Sequence, residues 1–191
     1  MHIGDSTIRR AFSISSSVKE QTSITLSIRE SKQGQLSPIF WKQDCSGLQV
    51  EVMGPLGLNT VDKMHSNTIY LFAYGVGAGV VKSLLDYCVS DPNYTHIVVM
   101  TGSRSEDEIL HKEYFDGVAK KHSHVEVRHV VSQPATKGIF REGYIQDHLG
   151  GLDFSNADVY ACGQEVACNS LTERIKEQNP TSCNFFIEAF H

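Results

Sequence analysis

No apolar run in the 191-residue sequence approaches the roughly 20 residues that a membrane-spanning helix requires. Nor does an apolar stretch follow the two arginines near the N-terminus, as it would in a secretory signal. Basic side chains are outnumbered, 17 against 22 acidic ones, and the net charge of −5 argues against a nucleic-acid binder. The five cysteines include no CxxC pair, which predicts free thiols rather than a disulfide framework or a zinc site. We therefore expect a soluble, intracellular protein.

What the sequence does contain is a globular composition, with 40% hydrophobic and 20% charged residues. Residues 1–66 are rich in serine, threonine, glutamine and glycine. Polar and apolar residues alternate at positions 11–15, 23–28 and 48–52, which is typical of half-buried strands. After residue 66 continuous apolar runs replace these short alternating segments, so we predict two domains, over residues 1–66 and 67–191.

The second domain alternates apolar runs with helix-like segments. The runs that predict buried strands are residues 69–73, 96–100, 125–131, 158–162 and 185–187. The segments that predict helices are residues 80–88, 106–121, 142–149 and 165–178. This order predicts an α/β fold in which a doubly wound, parallel, five-stranded sheet is covered by helices on both faces.

A glycine-rich turn follows the first of these strands. Gly75, Gly77 and Gly79 have GxGxG spacing, which differs from the GxGxxG dinucleotide fingerprint. Such a turn lets the backbone approach a phosphate at a helix N-terminus. Ser103 and Arg104 follow the next strand, where an arginine suits a 2′-phosphate better than an acidic residue would. A tight strand-to-helix turn and a surface arginine explain the same residues equally well.

Two histidine features do not predict a metal site. His122 and His124 have HxH spacing just before the predicted strand 125–131, and His129 lies within that strand. No carboxylate or cysteine completes a ligand set near them, so we expect no bound metal.

Seven short motifs occur in an order that covers residues 9–190 almost completely. They are Arg10-Ala11-Phe12-Ser13, Gly34-Gln35-Leu36-Ser37, Gly54-Pro55-Leu56-Gly57, Gly75-Val76-Gly77, Gly102-Ser103-Arg104, Cys162-Gly163 and Glu188-Ala189-Phe190. This series resembles the ferredoxin–NADP reductase-like superfamily, which includes the small NAD(P)H–flavin reductases. The resemblance implies that residues 1–66 form a partial, antiparallel, flavin-binding β-barrel and that residues 67–191 bind NAD(P).

The resemblance also implies roles at the flavin. Arg10 would meet the flavin phosphate, Phe12 would pack against the isoalloxazine ring, and Ser13 would lie near its N5 atom. Gly34 and Ser37 would present backbone N–H groups and a hydroxyl to the phosphate. Without the motif, Phe12 is equally well explained as an ordinary core aromatic.

A second group of residues would hold the pyridine nucleotide. Those implied are Gly75, Val76 and Gly77 at the pyrophosphate, and Ser103, Arg104, Lys137 and Tyr144 toward the adenosine. Cys162 and Gly163 would stand beside the nicotinamide, while Glu188 and Phe190 would approach the flavin ring. Ser13, Cys162 and Glu188 are thus the implied catalytic residues. On the residues alone, Cys162 could be a buried strand-end thiol, Phe190 a core aromatic and Glu188 a solvated tail residue.

The sequence departs from the family pattern in three places. Val76 and Val80–Val81 stand where the usual GTGxxP turn has threonine and proline. Gln164 and Ala167 replace the usual proline and methionine after the Cys-Gly pair. The chain begins almost at the Arg10–Ser13 motif, which implies that about three barrel strands are missing. An open barrel edge of this kind could pair with a second copy of the chain.

These observations lead to two functional hypotheses. The first is a flavin-dependent oxidoreductase that passes hydride from NADPH or NADH to FAD or FMN, and then to an unidentified acceptor that could be an electron-transfer protein. The second is a non-catalytic or partner-completed NAD(P)-binding module that has lost stable flavin binding.

Overall fold

Apolar runs between residues 68 and 190 form one six-stranded parallel sheet. A computed structural model describes residues 2–3, 6–20, 22–54, 56, 60–134, 136 and 139–190. The strands of this sheet are β3 (Thr68–Tyr74), β4 (His96–Ser103), β5 (Val125–Val131), β6 (Arg141–Glu142), β7 (Ala157–Gln164) and β8 (Asn184–Phe190). Their spatial order is β6-β5-β4-β3-β7-β8, and every neighbouring pair is parallel.

Helices cover both faces of the sheet. The α-helices are α1 (Ser37–Lys42), α2 (Gly77–Cys88), α3 (Lys112–Lys121) and α4 (Glu165–Lys176), and short 3₁₀ turns span Val61–Lys63, Glu106–Glu108 and Ile145–His148. Side chains alternate along β3, so Leu71 packs with α2 on one face while Phe72 packs with α4 on the other. No helix in the described part of the chain is long and apolar enough to cross a membrane.

The strand order reverses beside β3. The chain moves outward from β3 through β4 and β5 to β6, then returns to add β7 and β8 on the opposite side. The gap between β3 and β7 is therefore the topological switch point, where ligands bind at the carboxyl ends of the strands in this class of sheet. The predicted α/β class and parallel sheet are confirmed.

Three details of the predicted second domain are wrong. The sheet has six strands rather than five, because the two-residue strand β6 pairs with Val130 and Val131 at the edge. β6 is too short and too polar to give a period-2 signal. The helix expected over residues 142–149 is only the 3₁₀ turn at Ile145–His148. The helix expected over residues 106–121 is broken at His111, whose backbone is left-handed at φ 56°.

The predicted partial antiparallel barrel is not seen in the described part of residues 1–66. These residues contain the short antiparallel pair β1 (His2–Ile3) and β2 (Ser6–Thr7), one bridge between Ile14 and Leu26, and α1. Residues 48–52 alternate in polarity but form no strand, and Val52 is 67% exposed. Alternation becomes a strand only where a neighbouring strand supplies backbone partners, and none lies beside this segment in the described structure.

A buried carboxyl group ties the start of the sheet to its far side. Asp158, in β7, is fully buried and accepts hydrogen bonds from the backbone N–H groups of His65 (2.6 Å) and Ser66 (2.8 Å). It also accepts one from the side-chain amide of Asn184 in β8 (2.8 Å). One side chain therefore joins the segment before β3 to both β7 and β8.

We expect Asp158→Ala to lower the free energy of unfolding by about 3 kcal/mol, because three N–H donors lose a fully buried acceptor. Urea unfolding followed by circular dichroism measures this loss. The matched control is Asp153→Ala, whose exposed carboxyl accepts a bond from the nearby Ser155 backbone and should matter much less. Equal losses in the two variants would contradict the role given to Asp158.

Candidate functional site

A cavity of about 800 Å³ lies at the switch point, between the N-terminal segment and the carboxyl ends of the strands. Its N-terminal wall is formed by residues 10–13, 27–29 and 34–37. Its opposite wall is formed by residues 74–76, 102–104, 132–133 and 143–146, which lie at or just after the carboxyl ends of β3, β4, β5 and β6. The cavity is therefore built from both halves of the sequence, which a ligand lying in it would contact together.

The glycine turn places the start of α2 against the cavity. Gly75 has a φ of +55°, and α2 begins two residues later with no acidic residue in its first turn. A Cβ atom on Gly77 would lie 2.6 Å from the carbonyl carbon of Cys162, closer than any side chain tolerates. The absence of a side chain thus lets the positive end of α2 lie directly on β7, beside the cavity.

The charged side chains that line the cavity are mainly cationic. They are Arg10, Arg29, Arg104 and Glu108 in the described lining, in a chain whose net charge is −5. Arg10 donates a hydrogen bond to the side-chain oxygen of Gln35 (2.6 Å), whereas Arg104 is exposed beside the carboxyl end of β4. This distribution favours a ligand with more than one negative charge.

Ser13 and Glu188, which are far apart in sequence, meet at the cavity wall. The Ser13 hydroxyl donates a hydrogen bond to the Glu188 carboxyl group, which also accepts one from the Tyr160 hydroxyl (2.6 Å). Tyr160 is 1% exposed, and burial together with the nearby Glu188 raises its pKa, so it remains a neutral donor. Because its own proton points to Glu188, Ser13 can only accept a hydrogen bond from a ligand in this arrangement.

The residues predicted from the sequence divide into two layers. Those that line the cavity are Arg10, Phe12, Ser13, Gly34, Ser37, Gly75, Val76, Ser103, Arg104, Tyr144 and Phe190. Those that lie behind the lining are Gly77, Cys162, Gly163 and Glu188. Lys137 lies outside the described residues.

The local contacts of three of these residues show what they can offer. Cys162 is fully buried among the residues under α2, and burial raises the pKa of its thiol, which keeps it protonated. The Ser37 hydroxyl is used inside its own loop, where it accepts from the Ser31 N–H (2.9 Å) and donates to the Ser31 carbonyl (3.1 Å). Ser103 donates to the Glu108 carbonyl (3.2 Å).

Sequence reasoning missed several residues of the site. Arg29, Tyr74 and Gln146 all line the cavity, yet none belongs to a recognised motif. Arg29 directly follows the alternating segment 23–28, so its position at the end of a predicted strand is the sequence feature that could have identified it. His111 was also missed. Its ring lies 3.2 Å from the Ser27 hydroxyl and so holds the N-terminal wall against the parallel sheet and its helices, residues 68–190, which we call the sheet domain.

The histidines considered for a metal site have other partners. His129 lies between the Thr101 hydroxyl (2.7 Å from Nδ1) and the Asp116 carboxylate (3.0 Å from Nε2). Burial lowers its pKa, although Asp116 opposes this effect. The contacts join β4, β5 and α3 just beneath Gly102, which lines the cavity. His122 and His124 stack edge to face at 5.7 Å.

The sequence is similar to those of known oxidoreductases. The oxidoreductase NAD-binding domain family matches residues 71–185, more than half of the chain. The uncharacterized oxidoreductase AIM33 of Saccharomyces cerevisiae is 30% identical over 123 residues, which cover 64% of this chain and 39% of that protein. An NAD(P)H-flavin reductase of Vibrio harveyi is 25% identical over 145 residues, which cover 74% of this chain and 61% of that protein.

Solved structures extend the likeness to the whole fold. A ferredoxin NADP⁺ reductase from Neisseria gonorrhoeae, with bound FAD and NADP, superposes with a TM-score of 0.76 at 13% identity. The superposition covers 99% of this chain and 82% of that one. At this identity the likeness concerns the fold alone. The chain spans less than two thirds of the length of either curated relative.

The contact between α2 and β7 gives a prediction for the site. We expect Gly77→Ala to lower the free energy of unfolding by more than about 3 kcal/mol, because the new methyl group meets backbone that cannot move aside. Gly117→Ala is the control: it lies in α3 with open space around it and should raise stability by up to about 1 kcal/mol. Urea unfolding measures both, and an unchanged Gly77→Ala variant would disprove the close contact.

Proposed function

The chain belongs to the family of oxidoreductase NAD-binding domains of the ferredoxin–NADP reductase type, and on that premise we propose that it passes hydride from NAD(P)H to a flavin. The observation that carries this proposal is the cavity at the switch point, whose two walls come from the two halves of the sequence. Hydride transfer requires two rings held in close, oriented contact, and a cavity with walls of separate origin suits that task.

The pyridine nucleotide fits the wall formed by the sheet domain. Gly75 and Val76 lie at the positive end of α2, where backbone N–H groups favour a diphosphate. Ser103 and Arg104 lie at the end of β4, and Tyr144 lies beyond β6, where they would contact the adenosine. A 2′-phosphate would place its charge beside Arg104, so we propose that NADPH binds more tightly than NADH.

The flavin fits the wall formed by the N-terminal segment. Arg10 and the turn of Gly34 and Ser37 would hold its phosphate, and Phe12, which is 38% exposed, offers an aromatic face. Phe190 closes the same side from β8. When bound, FAD or FMN would supply the electron-accepting ring. Ser13 would accept a hydrogen bond from a ring N–H, since Glu188 already takes its proton.

Cys162 and Glu188 act from behind the lining in this proposal. The Cys162 thiol is neutral and buried, so it supports the glycine turn rather than attacking a ligand. Glu188 orients Ser13 and is itself held by Tyr160. Neither group needs to exchange a proton with substrate, which agrees with the small demand that hydride transfer places on acid–base chemistry.

A second candidate function is a nucleotide-binding module without stable flavin. One observation favours it: in the described residues of the N-terminal part, no closed antiparallel barrel surrounds the proposed flavin site. Such a protein would bind NADPH through the sheet domain and depend on another chain to complete the flavin site. Both functions share the nucleotide site and differ only in the flavin.

The purified chain should therefore oxidise NADPH in a flavin-dependent way. We expect either a flavin absorbance spectrum as purified or NADPH oxidation that requires added FAD or FMN, with ferricyanide as electron acceptor. Binding of NADPH by calorimetry, with no flavin binding and no oxidation, would select the module instead. A chain that binds neither cofactor would refute both functions.

The preference for NADPH makes a separate prediction. Arg104→Ala should weaken NADP⁺ binding about tenfold, because an arginine–phosphate hydrogen bond is lost, and should change NAD⁺ binding little. Calorimetric titration measures both constants. The control is Arg174→Ala, since Arg174 is exposed in α4 and pairs with Glu177 (2.7 Å). Equal losses for the two nucleotides in Arg104→Ala would disprove contact with a 2′-phosphate.

A further inference from the structure

Glu188 carries its carboxylate on an otherwise aromatic face of β8. It alternates along the strand with Phe186 and Phe190, which share its face and pack against the buried residues under α2. A carboxylate in apolar surroundings is stable only if hydrogen-bond donors surround it. In the described structure two hydroxyl groups do so: Ser13 donates to Oε1 and Tyr160 donates to Oε2 at 2.6 Å. Each oxygen of the carboxylate therefore has its own donor.

The two donors belong to different parts of the molecule. Ser13 is half-buried in the N-terminal wall and lines the cavity. Tyr160 lies in β7, is 1% exposed and is not among the lining residues. The register partner of Glu188 in β7 is Cys162, so Tyr160 reaches the carboxylate diagonally from two residues earlier on the same face. Contact between Tyr160 and a ligand in the cavity therefore passes through Glu188 and Ser13.

The Tyr160 hydroxyl is a fixed donor. Its ring is buried among the residues under α2, which restricts its rotation. Burial and the neighbouring charge of Glu188 raise its pKa, so the hydroxyl keeps its proton at neutral pH. With Oε2 held by this hydroxyl, the plane of the carboxylate is fixed and Oε1 stays in place to take the proton of Ser13.

We propose that Tyr160 is a positioning residue that acts through Glu188 to fix the Ser13 hydroxyl as a hydrogen-bond acceptor for a flavin ring N–H. The proposal rests on the flavin site proposed above. A free serine hydroxyl turns readily and can either donate or accept. Held on Oε1, its proton is unavailable to the ligand and only its lone pairs remain. Without the Tyr160 hydroxyl the carboxylate is free to rotate, and Ser13 loses its fixed direction.

A double-mutant cycle tests whether Tyr160 acts through Ser13. We expect Ser13→Ala to weaken FMN binding about fivefold, because one neutral hydrogen bond is lost. Tyr160→Phe should weaken it about threefold, because the Ser13 hydroxyl remains but is no longer directed. In the Ser13→Ala background, Tyr160→Phe should cause no further loss, since the group that it directs is absent. Calorimetric titration with FMN measures all four dissociation constants.

NADP⁺ binding separates this role from a structural one. Tyr160 lies under α2, whose first turn is at the proposed nucleotide site, so a general distortion would weaken binding of NADP⁺ as well as FMN. We expect Tyr160→Phe to bind NADP⁺ within about twofold of the wild type.

Tyr70→Phe is the matched control variant. Tyr70 is 2% exposed, and its hydroxyl donates to the Asp153 carbonyl at the same distance, 2.6 Å, on the other face of the sheet. The variant thus loses an equally short hydrogen bond from a similarly buried tyrosine. It should bind both FMN and NADP⁺ within about twofold of the wild type.

The positioning role is wrong if Tyr160→Phe weakens FMN binding equally in both backgrounds, or if it weakens NADP⁺ binding to the same extent. Unchanged FMN affinity in either single variant also overturns it. In all these cases the wild type still binds flavin, and the proposed function stands. A wild type that binds no flavin overturns the flavin-dependent function and the positioning role together.

Discussion

The close approach of α2 to β7 is the contact on which the rest of the cavity depends. Gly77 lies against the Cys162 carbonyl, and this contact brings the positive end of the helix to the gap between β3 and β7. On its other side, α2 meets the N-terminal segment at Gly79, where a Cβ atom would overlap Ser15 (2.8 Å) and Ser27 (2.7 Å). Helix α2 is therefore packed between β7 and the N-terminal segment, and both contacts require a residue without a side chain.

Serines make most of the described hydrogen bonds across this packing. Ser83 in α2 donates to the Ser16 carbonyl (2.7 Å), Ser27 meets His111, and Ser13 donates to Glu188. Small hydroxyl side chains allow backbones to approach closely while still pairing their polar groups. The two parts of the chain are thus joined by directional bonds, which specify one arrangement more strictly than apolar contact would.

The sheet domain was largely predictable from sequence because its signals are local. The apolar runs of β3 and β4 identify buried strands by themselves, and Gly75 and Gly77 mark the turn between strand and helix. The N-terminal part was not, because alternation such as that of residues 48–52 becomes a strand only when partners elsewhere in the chain lie beside it, and these residues form no strand. Motif spacing predicted Arg104 and Ser13, which line the cavity, but it gave no sign of Tyr74, whose place at the end of β3 depends on the lack of side chains at Gly102 and Gly163.

The cationic lining gives the cavity a field opposite to that of the whole molecule. An anion more than a Debye length away, about 8 Å at physiological salt, is screened from individual arginines and meets a surface of net charge −5. The described lining of the cavity has three arginines and one glutamate, so the local sign of the charge is reversed. Recognition is therefore a short-range event: small anions gain little from a single arginine, whereas a ligand whose charges are spaced along its length gains from several at once.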